Sequence, residues 1–282
     1  MNAKRRFYKI TGGFFRALAL TCFMAFAILP FLWVLITSLK PVQEIFTFPL
    51  QYFPSKITFT GYAKLLGFAK FGTYFVNSLW ISLLAAAGGL LVSVLAGFSL
   101  SRLRTRKNIQ RFLLLLYFTQ MVPSFILMAP LFFSLSKLGF TNNRLVLAIV
   151  YSATTIAFGA IMAKSFFDNI PASIEEAAFI DGCDPVNAMF RVILPISLPG
   201  LVAIFSFAFV NVWNELFLAV MLISSDFKMT VPVALNSFIS KAGISWDIMS
   251  AGIVMALLPT MIIFAIGQKY IVAGLTEGGV KG

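Results

Sequence analysis

The sequence predicts an all-α, polytopic membrane protein with six transmembrane helices and a short helical hairpin between the fourth and fifth. Three observations lead there. Of 282 residues, 60% are apolar and only 11% charged, too few polar groups to cover a water-exposed surface of this size. The charges cluster, leaving uncharged runs long enough to cross a bilayer. The fourth and fifth runs are separated by a segment dense in helix start and stop signals.

The first run follows the basic start Lys4-Arg5-Arg6 and extends from about Phe14 to Leu39, interrupted by Arg16. A cleaved signal peptide shares the basic start, and Ala25-Phe26-Ala27 fits its cleavage pattern. Its apolar core would be shorter than this run, which continues through Trp33, so an uncleaved helix is expected. The second run is Phe75 to Ser101, closed by Arg102, Arg104, Arg106, Lys107 and Arg111. The third is Phe112 to Ser136, with Pro123 and Pro130 inside. The fourth is Leu145 to Ala163; the fifth, unusually long, is Val192 to Ser225 with Glu215 inside; the sixth is Ile248 to Gln268 around Pro259. At about 1.5 Å rise per residue, each spans a core of roughly 30 Å. The prolines at 123, 130, 195, 199 and 259 free backbone carbonyls and favour kinks, which suit alternating access and occur in static bundles too. The connection from Pro41 to Thr73, rich in turn residues, reads either as a linker or as a docking surface for an external partner.

With the N-terminus cytoplasmic, 14 of the 22 Lys and Arg fall on the inner side, so both termini are expected inside. The net charge of +12 then belongs to cytoplasmic loops, and no nucleic acid partner is expected. The chain has no histidine, and its two cysteines, Cys22 and Cys183, stand far apart. Cys/His zinc spacing, a C-x-x-C redox motif and a disulfide framework are thereby excluded, and no metal is expected.

The connecting segment 168–195 is net acidic, with Asp168, Glu175, Glu176, Asp181 and Asp184 against Lys164 and Arg191. Ser173 and Glu176 have capping-box spacing, which predicts a helix from about Ile174. Gly182 suits the left-handed residue that ends it. Asp184-Pro185 then forms an N-cap followed by proline at the first helical position, and Pro195 limits this second helix. Small Ala177 and Ala178 permit close approach of another surface, with Ile174, Ala178 and Asp181 near one face. On these residues alone, a hairpin resting against its own spans and a partner-docking site stand equally open.

Glu176-Ala177-Ala178, three residues, Gly182, nine residues, then Val192-x-Leu194-Pro195 resembles the signature loop of binding-protein-dependent ABC-importer permeases, with Val192 where isoleucine is usual. The C-terminal run Gly274 to Gly282 is similar to the tail of the carbohydrate-uptake branch, near the maltose-type second permease, and Val212-Trp213-Asn214-Glu215 is similar to a segment of sugar permeases. The resemblance covers most of the chain. It implies one transmembrane domain over 1–282, with a core of about 72–272. It implies a multi-pass protein of the bacterial inner membrane that moves a sugar or oligosaccharide inward by alternating access. It further implies two ATP-hydrolysing subunits, a second and different permease, and an extracytoplasmic solute-binding protein as partners. The chain contains no Gly-x-x-x-x-Gly-Lys-[Ser/Thr] run, so it is expected not to be an enzyme, ATP and Mg lying on the partner ATPase. An ion-driven secondary transporter is the competing class, resting on Glu215 alone. A non-sugar solute such as glycerol phosphate is the other alternative.

Residue by residue, the resemblance assigns ATPase coupling to Glu176, Ala177, Ala178, Asp181, Gly182, Leu194 and Pro195. Asn211, Trp213, Asn214 and Glu215 are the candidates for the substrate path. Polar groups inside a span face a watery path or a neighbouring helix, and indole and amide groups suit a sugar's apolar face and hydroxyls. On one continuous helix Asn211 would lie about 24 Å from Pro195. The alternative for these four is helix-to-helix bonding, with Trp213 as ordinary packing. Gly278, Gly279 and Lys281 in the tail are either a second ATPase contact or a disordered end.

Overall fold

The computed structural model describes residues 2–67, 70–102, 106–240 and 243–279. In chain order its helices are α1 (Asn2–Ser38), α2 (Thr60–Gly67), α3 (Phe71–Arg102), α4 (Arg106–Met121), α5 (Ser124–Lys137), α6 (Arg144–Asp168) and α7 (Ala172–Ile180). There follow α8 (Pro185–Ala188), α9 (Leu194–Ile196), α10 (Leu198–Trp213), α11 (Phe217–Leu222), α12 (Val231–Ser237) and α13 (Trp246–Gly279). A two-residue antiparallel ladder, Ile239–Ser240 against Gly243–Ile244, precedes α13. Among the described residues, Gly13–Ser38, Phe71–Arg102, Arg144–Asp168 and Trp246–Tyr270 are long and apolar enough to cross a membrane. Two bent pairs, Ile109–Met121 with Phe125–Lys137 and Pro185–Ile196 with Leu198–Trp213, bring the number to six when each is one span.

The bent pairs correct the expectation of continuous third and fifth helices. The third turns by 92° at Pro123, which precedes α5 in an extended conformation; its ring lacks an N–H and pushes Val122 out of the helical region. Pro130 and Pro259, by contrast, remain inside α5 and α13. The fifth turns by 77° at Ser197, not at Pro195. The Ser197 hydroxyl bonds back to the Ile193 carbonyl at 2.8 Å, and Pro199 stands in the first turn of α10. A second break, at Asn214–Leu216, separates α10 from α11.

By internal packing the chain forms two units, Met1–Lys70 with Ser237–Met255, and Phe71–Asn236 with Ala256–Gly282. In the first, Lys64 pairs with the buried Asp247 at 2.8 Å, and the Ser38 and Tyr62 hydroxyls meet at 2.9 Å. Lys40, also buried, lies 4.7 Å from the centre of the Trp33 ring.

In the second unit α3 packs along α6, and both pack against α10. The approach is close because small residues line it. A Cβ on Gly97 would stand 2.5 Å from the Ala163 methyl, and one on Gly159 would stand 2.3 Å from the Ser93 hydroxyl. One apolar cluster gathers Ile81, Ala85, Leu147, Tyr151, Val212, Leu218 and Leu222; another gathers Val94, Ala163, Phe167, Met189, Ile193 and Ile204. The Phe71 end of α3 holds the segment 226–231 through polar contacts. Tyr74 donates to Asp226 at 2.8 Å. Asn77 donates to the Phe227 and Met229 carbonyls at 2.9 and 3.0 Å, and the Ser78 hydroxyl accepts from Val231 N–H at 2.7 Å.

Candidate coupling hairpin and translocation path

The hairpin is built almost wholly from local chemistry. α7 starts at Ala172 behind an extended Pro171, with no side-chain cap. The expected Ser173–Glu176 capping box therefore does not form: Pro171, whose fixed φ suits the residue before a helix, starts it early and leaves Ser173 inside the first turn. α7 ends as the glycine signal requires. Gly182 has φ +88°, its N–H bonds to the Phe179 carbonyl at 3.1 Å, and the Cys183 N–H bonds to the Ala178 carbonyl at 2.9 Å, the paired bonds of a Schellman motif. Asp184 then caps α8, accepting from Val186 and Asn187 N–H at 2.9 and 2.8 Å. These bonds, the Asn187 backbone N–H foremost, hold its carboxyl below the usual carboxylate range.

α8 runs through a π turn, Met189–Ile193, into α9. The wide turn lies directly before Leu194-Pro195, where the proline ring would press on the carbonyl of residue 191 in a regular helix. α7 packs against α8 and this π turn. Ala178 is only 6% exposed, so it fills the hairpin's own interior rather than offering itself to another surface. Leu194 packs on the cluster around Ile193, as does Ile174. Glu176, Ala177, Asp181, Gly182 and Pro195 are exposed. Beside them stand Phe179, Phe190, Val186 at 65% and Ile180 at 86% exposure. The exposed face is thus apolar with an acidic edge.

On the hairpin's inner side, Glu175 is ion-paired with Arg102 at the end of α3. The same guanidinium donates to the Ser101 hydroxyl at 2.9 Å and the Phe167 carbonyl at 3.2 Å, and it lies 5.6 Å from the centre of the Phe98 ring. Ser101 donates to Asp168 at 2.6 Å, and Lys164 pairs with that carboxylate from one turn earlier. Arg102 was legible only as a loop charge, because its partner lies 73 residues away.

The four candidates for the path separate into two pairs. Trp213 is 2% exposed; its Nε1 donates to the Ala256 carbonyl at 3.0 Å, and its ring stacks on Phe209 and meets Phe75 edge-on. It is packing, and the expectation of a sugar-stacking face is corrected. Glu215 accepts from Tyr151 Oη at 2.6 Å and from Leu218 N–H at 3.1 Å with each carboxylate oxygen. It closes the helix break and caps α11. Asn211 and Asn214 are exposed, each donating one amide hydrogen to the carbonyl four residues earlier. Because α10 begins only after the 77° turn, the expected 24 Å along one helix from Pro195 to Asn211 does not apply.

Both asparagines and Glu215 line a cavity of about 470 Å³ with Phe125, Val210, Leu216 and Phe217, and Glu215 reaches the next cavity as well. Asn211 also borders a cavity of about 210 Å³, which takes in Gln120, Tyr151, Thr154, Thr155, Phe158 and Phe207. The last two rings stack at 4.1 Å. Gln120 and Thr154 border in turn a more apolar cavity of about 600 Å³. Gln120, Thr154 and Thr155 were not singled out from sequence; an amide and a Ser-Ala-Thr-Thr run inside apolar stretches were the available signal. In the tail, the backbone stays helical through Gly279, while Lys281 lies outside the described residues.

Comparison with known proteins agrees with this architecture. Residues 89–277 match the family model described as the inner membrane component of binding-protein-dependent transport systems. The chain is 32% identical over 272 residues to the sulfoquinovosyl glycerol transport system permease protein SmoH of Agrobacterium fabrum, covering 96% of this chain and 95% of that one. It is 32% identical to the arabinooligosaccharides transport system permease protein AraQ of Halalkalibacterium halodurans, covering 92% and 94%. A bacterial ABC transporter that imports alginate contains a chain of similar fold, with a TM-score of 0.79, 24% identity and coverage of 96% and 99%. This chain belongs to the family of inner membrane components of binding-protein-dependent transport systems.

Proposed function

We propose that this chain is the permease subunit of an ATP-driven importer for a sugar or oligosaccharide, and that its hairpin docks on a separate ATPase subunit. The observation that carries this reading is the hairpin itself: a self-capped pair of helices turned at Gly182, with Glu176, Ala177, Ile180 and Asp181 directed outward. Such a rigid projection with an uncovered apolar face suits insertion into a groove on another protein. ATP and Mg belong to that partner. The hairpin side, and with it both termini, is cytoplasmic on the Lys/Arg asymmetry. Gly278, Gly279 and Lys281 are a further candidate contact with the ATPase.

The sugar assignment rests on relatives named for glycoside and oligosaccharide transport and on the chemistry of the adjoining cavities. Asn211, Asn214, Gln120 and Thr154 offer hydrogen bonds, and Phe158 and Phe207 offer apolar ring faces. A second permease and an extracytoplasmic solute-binding protein complete the assembly, a reading supported by the likeness to binding-protein-dependent systems. The competing ion-driven mechanism rests on Glu215 alone, which bonds Tyr151 and the start of α11 while lining both cavities. Reconstitution with the partner subunits tests the whole reading. Solute-loaded binding protein is expected to stimulate ATP hydrolysis and uptake together; uptake that follows an ion gradient without ATP would overturn it.

A further inference from the structure

α3 is unbroken and tied at both ends. Its 32 residues contain no proline and span about 48 Å. At one end Arg102 joins three elements through a single guanidinium: Glu175 of α7, the Phe167 carbonyl of α6, and Ser101 of α3 itself. At the other end Tyr74, Asn77 and Ser78 grip the segment 226–231, and Arg144 donates to the Asn77 side-chain Oδ1. The pair Arg102–Glu175 is largely shielded, with side-chain exposures of 25% and 13%. Glu175 therefore points inward to α3 while its neighbour Glu176 points outward.

We infer that Arg102 is a positioning residue that clamps the hairpin to α3, so that a displacement of α7 by a docked partner is passed along α3 to the segment 226–231. A planar guanidinium fits the task, because it engages a carboxylate, a hydroxyl and a carbonyl in fixed directions at once. A helix held laterally by α6 and α10, with close contacts at Gly97 and Gly159, moves as a body rather than bending. The two polar grips make its ends follow. The inference rests on the docking of the hairpin to an ATPase proposed above.

The test uses the complete transporter in proteoliposomes and reads solute uptake per ATP hydrolysed, alongside co-purification of the ATPase. Glu175→Gln and Arg102→Gln are expected to leave the complex assembled, since the outward face is untouched, and to lower uptake per ATP about 5-fold or more. The exchange Arg102→Glu with Glu175→Arg is expected to recover most of that ratio, which a merely structural role would not do. Single variants that keep the wild-type ratio, or an exchange no better than the singles, would overturn the clamp. Should Arg102→Gln fail to assemble, the isosteric Glu175→Gln decides, because it leaves the contacts of Arg102 to Ser101 and Phe167 in place. Wild-type transporter without ATP-coupled uptake would instead remove the docking reading, and the clamp with it.

Discussion

The hairpin at 172–196 and the helix break at 211–222 both interrupt the regular spans, and they do so by opposite means. In the hairpin, each interruption is closed within a few residues. Gly182 supplies the left-handed turn, Cys183 reaches back to Ala178, and Asp184 caps the helix that follows it. In the break, closure comes from a distance: Tyr151, 64 residues earlier, donates to the Glu215 carboxylate that caps α11. A projection whose turns are closed locally rests one side on the spans and presents the other outward. A break closed by another helix is part of the scaffold, with Asn211, Asn214 and Glu215 lining the adjoining cavities.

The contrast yields four expected outcomes, the largest first. Gly182→Val puts a β-branched residue at φ +88°, where nothing crowds it and only the backbone conformation is at fault. Uptake in proteoliposomes should fall about 10-fold or more, corresponding to about 1–2 kcal/mol of strain reshaping the turn. Membrane insertion, followed by quantitative immunoblot, should be unchanged. Glu215→Ala should destabilise the protein by about 1–3 kcal/mol, because Tyr151 and the N–H groups of Leu218 and Ala219 lose an acceptor. A lowered unfolding midpoint in detergent checks this, and Tyr151→Phe should lower it less. Asn211→Ala should leave that midpoint in place and raise the apparent KM for sugar a few-fold, the loss of one neutral hydrogen bond.

The smallest effect belongs to Asp184. Its carboxyl titrates below the usual range in the folded protein, so its cap stabilises the hairpin above about pH 4 and that contribution is lost as the pH falls through the folded value. Asp184→Ala should therefore expose the hairpin to proteolysis at pH 7, with the difference from wild type shrinking in acid. Asp184→Asn, itself a good N-cap, should remain near wild type at both pH values.

The same contrast explains what could be read from residues alone. Capping and turn chemistry act over two to five residues, so Gly182 and Asp184-Pro185 announced the hairpin. The start of α7 was misread because Ser173 and Glu176 carry the right spacing while Pro171, two positions earlier, takes over the helix start. Prolines marked missing hydrogen bonds without saying where the chain turns: Pro123 bends the third span, whereas Pro130 and Pro259 stay within helices. The roles of Trp213 and Glu215 depend on Ala256 and Tyr151, and that of Arg102 depends on Glu175. No local pattern encodes such long-range pairs. Ala178 shows a subtler limit, since a small residue permits close approach equally to a partner and to its own fold.

The docking face is tested most directly by photo-cross-linking in the assembled transporter. A photo-activatable side chain at Ile180, the most exposed apolar residue of α7, should cross-link to the ATPase subunit. The same group at Ala178, buried within the hairpin, should give only products within this chain. An assembled, ATP-hydrolysing complex with no ATPase adduct from Ile180 would contradict docking through this face.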